Sequence, residues 1–138
     1  MLASDEWAKA NGKEPLATIV GHAQTADDFP MLARTPATAA MKALDKAGLQ
    51  PGDIDLWEIN EAFASVTLNS MRMLGIDEEK VNVNGGAVAL GHPIGASGAR
   101  ILTTLLYALQ QRNLRRGIAT LCLGGGNGVA VAIERPEA

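Results

Sequence analysis

His92 has a distinctive setting in this chain of 138 residues. It lies in the glycine-rich segment 84–100, NGGAVALGHPIGASGAR, immediately before Pro93. Glycines let a backbone approach a bound molecule closely, and a proline restricts the backbone that follows the imidazole. A lone histidine is more often structural than catalytic, but a histidine held in such a loop suits general-base chemistry.

Cys122 is the second candidate, and it lies near the end of the apolar segment 117–123. A cysteine in an apolar strand is ordinarily a buried and inert thiol. The glycine turn that follows, starting at Gly124, offers backbone N–H groups that could bind an oxyanion. Because the only other soft metal ligands are His22 and His92, no structural metal site is expected.

Asn60 and Glu61 follow the alternating apolar segment 54–59. The simplest interpretation is that Asn60 caps the next helix and that Glu61 interacts with the positive end of its dipole. The Asn60 amide could instead hold a water or a substrate oxygen, and Glu61 could equally have a polar role. Ser97 begins an apolar helix and is interpreted as a cap or backbone support, because its surroundings lack the last glycine of a nucleophile elbow.

The apolar periodicity predicts the elements that must position these residues. After a short helix capped by Ser4, the order is β-α-β-α-β-α-β-β, with the last two strands forming an antiparallel hairpin. The predicted strands cover residues 16–23, 54–59, 81–83, 117–123 and 129–133, and the helices start at Thr35, Asn60 and about Ala96. This order predicts a three-layer α/β/α fold around a mixed, mostly parallel five-stranded sheet.

Parallel strands end at one edge of a sheet, and ligands bind at that edge. Asn60, His92 and Cys122 each follow or end a predicted strand, although they lie far apart in the sequence. The predicted fold therefore brings the three side chains to the same edge.

The bulk composition excludes several classes of protein. The net charge of −3 gives no electrostatic reason to expect a nucleic-acid partner. No apolar run is long enough to span a membrane, and the N-terminus does not resemble a signal peptide. The length fits one domain, and we expect a cytoplasmic location.

Three motifs together resemble the C-terminal part of the thiolases, the acyl-CoA acetyltransferases. They are NEAFA at 60–64, NVNGGAVALGHPIGASG at 82–98 and GIATLCLGGGNGVA at 117–130. The resemblance covers essentially the whole chain but only about the last third of a typical thiolase. It implies one half of the thiolase fold and an acyltransferase of lipid and fatty-acid metabolism. Its reaction would be the reversible condensation of two acetyl-CoA or the thiolytic cleavage of 3-ketoacyl-CoA.

The resemblance also implies a role for each matching residue. His92 would activate a nucleophilic cysteine and, with a water held by Asn60, would form one oxyanion hole. Cys122 would be the acid and base at the α-carbon, and the N–H of Gly124 would contribute to a second oxyanion hole. The residues implied to line the acyl pocket are Ala62, Phe63 and Ile94.

The nucleophilic cysteine of the family has no counterpart here, because Cys122 is the only cysteine. We therefore expect residues 1–12 to be the end of a missing N-terminal thiolase domain and residues 13–138 to be the C-terminal domain. The chain alone is expected to be inactive. The expected partners are acyl-CoA or coenzyme A, the missing half and, in the complete protein, further copies in a dimer or tetramer. No cofactor is expected beyond coenzyme A thioesters as substrates.

Two alternatives remain open from the sequence. The first is a non-catalytic acyl-CoA-binding or scaffold protein of thiolase fold, against which the presence of Asn60, His92 and Cys122 argues. The second is a decarboxylating condensing enzyme of the same superfamily. Such enzymes typically have two histidines, or a histidine and an asparagine, where this chain has His92 and Cys122.

Overall fold

The computed structural model describes residues 1–136, so the last two residues of the expected domain 13–138 lie outside the described range. The first helix, α1, covers Asp5–Ala10, and the Ser4 hydroxyl accepts a hydrogen bond from the Trp7 N–H at 3.2 Å. This cap and the acidic first turn confirm the predicted helix start. α1 buries none of its own residues.

The sheet has four strands in the order β1-β4-β3-β2. Their bounds are Thr18–Ala26 for β1, Leu56–Ile59 for β2, Arg116–Leu123 for β3 and Asn127–Glu134 for β4. β4 pairs antiparallel with both β1 and β3, whereas β2 and β3 are parallel. Three strands therefore run in one direction and β4 runs against them. The mixed sheet and the C-terminal hairpin are confirmed.

The expectation of a fifth strand at residues 81–83 is wrong for the described chain. Only a single parallel bridge forms there, between Trp57 and Val81. Asn82 has a left-handed φ of +48°, which interrupts an extended backbone. Its side-chain amide instead accepts from the Ile59 N–H and donates to the Ile59 carbonyl, both at 2.9 Å. An amide side chain thus replaces a strand backbone at this edge of the sheet.

Helices cover both faces of the sheet, which confirms the three layers. α2 (Thr35–Ala47) and α3 (Ala64–Leu74) lie on one face, and α5 (Ser97–Gln111) lies on the other. The core on the α2 side includes Ala39, Ala40, Leu44, Trp57, Ile59, Ile118 and Ala132. The core on the α5 side includes Leu56, Ile101, Leu105, Leu109, Ala119 and Ile133. A short helix, α4 (Ala87–Leu90), lies within the glycine-rich segment and was not predicted.

The chain leaves β2 differently from the prediction. The Asn60 N–H donates to the Thr120 carbonyl at 3.0 Å, which continues the pairing of β2 with β3 by one step. α3 therefore begins at Ala64 rather than at Asn60, and Phe63 is its extended N-cap residue. The interpretation of Asn60 as a helix cap is wrong, and its side chain is available for other contacts.

In residues 1–136 no helix is both long and apolar enough to cross a bilayer. α5 has 15 residues, fewer than the roughly 20 that a span requires.

Candidate active site

Asn60 and Cys122 lie at the same edge of the sheet. Asn60 directly follows β2, and Cys122 is the residue before the last in the parallel strand β3. The bond from the Asn60 N–H to the Thr120 carbonyl fixes the register between these two strand ends. His92 joins this edge through the Asn60 side chain, since Asn60 Nδ2 lies 3.4 Å from His92 Nε2.

The His92 ring is held from both nitrogens. Its Nδ1 lies 2.5 Å from Ser97 Oγ, and that hydroxyl donates its own proton to the Pro93 carbonyl at 3.1 Å. When the hydroxyl proton is on the Pro93 carbonyl, the Ser97 oxygen accepts from the ring, and Nδ1 then carries the ring proton. In the neutral imidazole Nε2 is then unprotonated and accepts from the Asn60 amide. An imidazole in this tautomer presents a base at Nε2.

Ser97 contacts the His92 ring, which the sequence did not reveal. It is the first residue of α5, its N-cap position is taken by Ala96, and its side chain caps nothing. The interpretation as a cap is wrong, whereas that as a backbone support agrees with the bond to Pro93. The spacing of five residues between His92 and Ser97 spans a turn, so helical periodicity gave no sign of the pairing.

Asn60 is fully buried, and its Oδ1 has no hydrogen-bond partner in the described chain. Leaving a buried amide oxygen without a hydrogen bond reduces stability by about 1–3 kcal/mol. Such an atom usually binds a water or takes part in a functional site. The Nδ2 group of the same amide faces the His92 ring. The amide can therefore accept a hydrogen bond from a small ligand or water beside the imidazole.

Glu61 bonds to Asn82 and to the glycine-rich segment, and it lies outside α3. Its Oε1 accepts from Asn82 Nδ2 at 2.8 Å, and its Oε2 accepts from the Val88 N–H at 2.9 Å. Val88 is in the first turn of α4, where a carboxylate is favoured. The interaction is therefore with the N-terminus of α4 rather than with the helix that follows Glu61 in sequence.

Cys122 is a free and buried thiol opposite Gly128 in the β3–β4 ladder. Burial raises the pKa of the Cys122 thiol above its ordinary value, and a backbone hydrogen bond partly offsets this effect. The group is consequently a thiol at neutral pH and has a proton to donate. In the described residues no hydrogen bond joins Cys122 to His92, whose ring contacts are with Asn60 and Ser97.

Gly124 opens the exposed turn between β3 and β4. Its carbonyl accepts from Asn127 Nδ2 at 3.1 Å. Gly125 and Gly126 have φ of +85° and +83°, a backbone region that favours glycine. A Cβ on Gly126 would lie 2.3 Å from the Asp27 carbonyl oxygen, so residues 27–28 hold the turn closely from one side.

The three residues implied to line an acyl pocket lie around this edge. Ala62 is half-buried, and the exposed fractions of Phe63 and Ile94 are 67% and 86%. They do not enclose a pocket among the described residues, but they give the rim an apolar character. Within the part of the chain that the structure describes, no group of three or more histidine, cysteine or carboxylate side chains is placed to hold a metal ion.

The sequence patterns did not predict the buried ion pair between β2 and α5. Glu58 in β2 is 2% exposed, and Arg100 Nη1 donates to its Oε2 at 3.2 Å. Burial raises the pKa of Glu58 to about 7, against the opposing effect of the Arg100 guanidinium and with a further rise from the Glu61 carboxylate. The pair ties β2 to α5 three residues after Ser97, so it supports the helix start that carries the partner of His92.

The chain matches the family model described as thiolase, C-terminal domain, over residues 13–135. It is 52% identical over 135 residues to an acetyl-CoA acetyltransferase of Allochromatium vinosum, covering 98% of this chain and 34% of that protein. It is 54% identical over 135 residues to an acetyl-CoA acetyltransferase of Escherichia coli strain K12, with the same coverage of each protein. The chain thus spans about a third of the length of these relatives.

Solved structures give the same result for the fold. A crystal structure of human mitochondrial 3-ketoacyl-CoA thiolase in complex with CoA superposes with a TM-score of 0.94 at 44% sequence identity. The match covers 97% of this chain and 34% of that one.

Proposed function

The chain belongs to the thiolase family, matching its C-terminal domain, and on that premise we propose that it supplies the base and the acid of an acetyl-CoA acyltransferase active site. The proposed reaction is the reversible condensation of two acetyl-CoA, or the thiolytic cleavage of a 3-ketoacyl-CoA. The chain contains one cysteine, and we assign it to proton transfer. The nucleophilic cysteine would then come from the remaining two thirds of a complete thiolase.

The observation that carries the proposal is how the His92 ring is held. Nδ1 lies beside the Ser97 hydroxyl and Nε2 beside the Asn60 amide, an arrangement that suits a proton on Nδ1 and a free base at Nε2. In the cleavage direction Nε2 accepts the proton of the nucleophilic cysteine. The resulting thiolate adds to the C3 carbonyl of the 3-ketoacyl-CoA. The bond between C2 and C3 then breaks, and its electron pair leaves as the enolate of acetyl-CoA.

Cys122 then donates its proton to C2 of that enolate, which completes acetyl-CoA. The raised pKa of the buried thiol supports this role because the proton is present at neutral pH. The Cys122 thiolate takes a proton from the thiol of coenzyme A. The coenzyme A thiolate attacks the acyl-enzyme thioester, releases the shortened acyl-CoA and regenerates the nucleophile.

Charge develops on oxygen in both halves of this reaction and needs hydrogen-bond donors. The protonated His92 Nε2 and a water accepted by the buried Asn60 Oδ1 would stabilise the enolate oxygen. The N–H of Gly124 would contribute to the second site, which holds the tetrahedral species on the nucleophile. The apolar rim of Ala62, Phe63 and Ile94 would contact the acyl chain.

A chimera tests the proposal directly. This chain replaces the matching third of the Escherichia coli acetyl-CoA acetyltransferase, and the product is assayed for cleavage of acetoacetyl-CoA by coenzyme A. We expect turnover by the chimera and none by the 138-residue chain alone.

Other outcomes identify the alternatives. Binding of acetyl-CoA without turnover would indicate a scaffold protein, and release of carbon dioxide from malonyl-CoA would indicate a decarboxylating condensing enzyme. Turnover by the isolated chain, free of other thiolase, would show that its single cysteine does more than transfer protons.

A further inference from the structure

The contacts of Glu61 point to a role in holding His92. We propose that Glu61 is a positioning residue: its carboxylate fixes the segment 82–91 against the end of β2 so that the His92 ring meets Asn60. The proposal rests on the proposed function only in taking Nε2 of His92 as the base. Among the described residues no hydrogen bond joins Glu61 to the ring, so its role is exerted through the segment that it holds.

The carboxylate holds the segment at two points. Oε1 accepts from the Asn82 side chain at the start of the segment, and Oε2 accepts from the Val88 N–H four residues before His92. Since Glu61 is the neighbour of Asn60, the same backbone fixes both the carboxylate and the amide that faces the ring. The loop carrying His92 is thereby tied to the residue that its ring must reach.

Both oxygens are needed as acceptors. Asn82 cannot rotate its amide to compensate, because its Oδ1 and Nδ2 are also bonded to the Ile59 N–H and carbonyl. A glutamine at position 61 would present an NH₂ group to one of two donors. Glu61→Gln should therefore release either Asn82 or Val88.

Gly86 provides a second way to displace the carboxylate without changing any charge. A Cβ on Gly86 would lie 2.1 Å from Glu61 Cδ and 2.2 Å from Oε1. The backbone of Gly86 has φ −121° and ψ −168°, which alanine adopts without strain. Because the obstructing atoms are the end of a flexible side chain, Gly86→Ala should swing the carboxylate away and leave the fold intact.

The test is ¹⁵N NMR of the histidine rings in the 138-residue chain, which reports the tautomer of each ring. In the native chain we expect His92 to be mainly the Nδ1–H form. Glu61→Gln and Gly86→Ala should both shift His92 to a mixture of tautomers. His22 in β1 serves as an internal reference in every spectrum. Glu79→Gln is the matched control for charge, because Glu79 is exposed and its carboxylate has no hydrogen-bond or ion-pair partner among the described residues.

A change in His92 with Glu61→Gln but not with Gly86→Ala would assign the effect to charge and overturn the positioning role. A tautomer change with Gly86→Ala alone would assign the effect to the backbone of residue 86 and would also overturn the positioning role. The absence of a tautomer change in both variants would overturn it as well. This readout needs no turnover, so it is independent of the proposed reaction. In an active chimera, Glu61→Gln should lower kcat by about tenfold, with KM changed by less than about twofold.

Discussion

The segment around His92 and the β3–β4 hairpin around Cys122 are both rich in glycine, but they hold their side chains by different interactions. In the His92 segment, polar side chains hold the structure: Asn60 and Ser97 bond to the ring, and Glu61 bonds to the backbone of Val88. Much of the segment is exposed, including His92 and Ile94. Its geometry therefore depends on a few hydrogen bonds from neighbouring elements.

The hairpin depends instead on a continuous ladder and close backbone packing. Cys122 is opposite Gly128 in an antiparallel pairing that covers the whole of β3. Behind the hairpin, Thr35 Oγ1 donates to the Asn127 carbonyl at 2.8 Å, and the Gly126 carbonyl accepts from the Asp27 N–H at 2.8 Å. In the proposed reaction Cys122 must keep its proton, which its burial in this ladder favours. His92 must reach a second cysteine, which its exposure allows.

The largest expected difference between the regions is in the half-reactions of the active chimera. Each of His92→Ala and Cys122→Ala should lower the rate of acetoacetyl-CoA cleavage by about 10³-fold, the usual range for a general acid or base. With acetyl-CoA as donor, Cys122→Ala should still acylate the nucleophile, because coenzyme A leaves as a thiolate that can take its proton from water and no proton on carbon moves in that step. His92→Ala should acylate poorly, since the nucleophile loses its base.

Mass spectrometry of the quenched enzyme measures the acetyl adduct in both variants. Normal acylation by His92→Ala together with failure of Cys122→Ala would reverse the two assignments.

The second difference is in the response to pH, because the ion pair under the His92 region titrates near neutrality. The pKa of Glu58 is about 7 in the folded chain against an ordinary value of 4.5, so the folded state binds more protons between these values. The free energy of unfolding should then fall as pH rises through this range, by at most about 3 kcal/mol. Glu58→Gln should remove most of that slope.

Urea unfolding of the 138-residue chain at intervals from about pH 5 to 8 measures the slope. Glu79→Gln, which removes an exposed carboxylate, should keep it. If the free energy of unfolding of the native chain rises with pH over this window, the predicted effect of the buried Glu58 carboxyl is wrong.

The third difference is in how well each region accommodates the methyl group that a glycine-to-alanine substitution adds. A Cβ on Gly128, opposite Cys122, would lie 2.4 Å from the Thr35 carbonyl oxygen, which is backbone and cannot swing away. Gly128→Ala should therefore destabilise the chain by about 2 kcal/mol. Gly95→Ala in the His92 region meets nothing within 4 Å and should change stability by less than about 0.5 kcal/mol. Denaturant midpoints of the two variants that do not differ would contradict the close packing of the hairpin.

Prediction from sequence was effective where a local pattern determines the structure. Ser4 and Gly48 mark helix ends through a side-chain cap and a left-handed backbone, and the apolar periodicity of α5 gave its bounds almost to the residue. The hairpin followed from two apolar runs separated by glycines. The shared edge for Asn60 and Cys122 followed from the parallel direction of β2 and β3.

Prediction failed where contacts between distant segments override the local pattern. Asn60 would suit a helix cap, but its N–H completes the ladder to Thr120, so α3 starts later. Residues 81–83 have strand-forming valines, but the Asn82 side chain takes the hydrogen bonds of a neighbouring strand. The contacts of Ser97 and Glu61 depend on side-chain direction at a helix start and in a loop, for which sequence periodicity carries no information.

The smallest expected effect comes from Ser97, because its loss leaves the rest of the network paired. The Pro93 carbonyl that accepts from its hydroxyl also accepts from the Ala96 and Ser97 N–H groups at 2.7 and 2.8 Å. Ser97→Ala therefore leaves only the His92 Nδ1–H without its protein partner, and the exposed ring can donate to water instead.

We expect Ser97→Ala to lower kcat of the chimera by about tenfold, or about 1.4 kcal/mol in activation free energy, with stability nearly unchanged. The control is Ser65→Ala, an exposed serine in the first turn of α3, which should leave kcat unaltered. The His92 ¹⁵N spectrum should lose its preference for the Nδ1–H tautomer in Ser97→Ala and keep it in Ser65→Ala. A native tautomer and full activity in that variant would mean that Asn60 alone orients the ring, and the polar network around His92 would then be smaller than the contacts indicate.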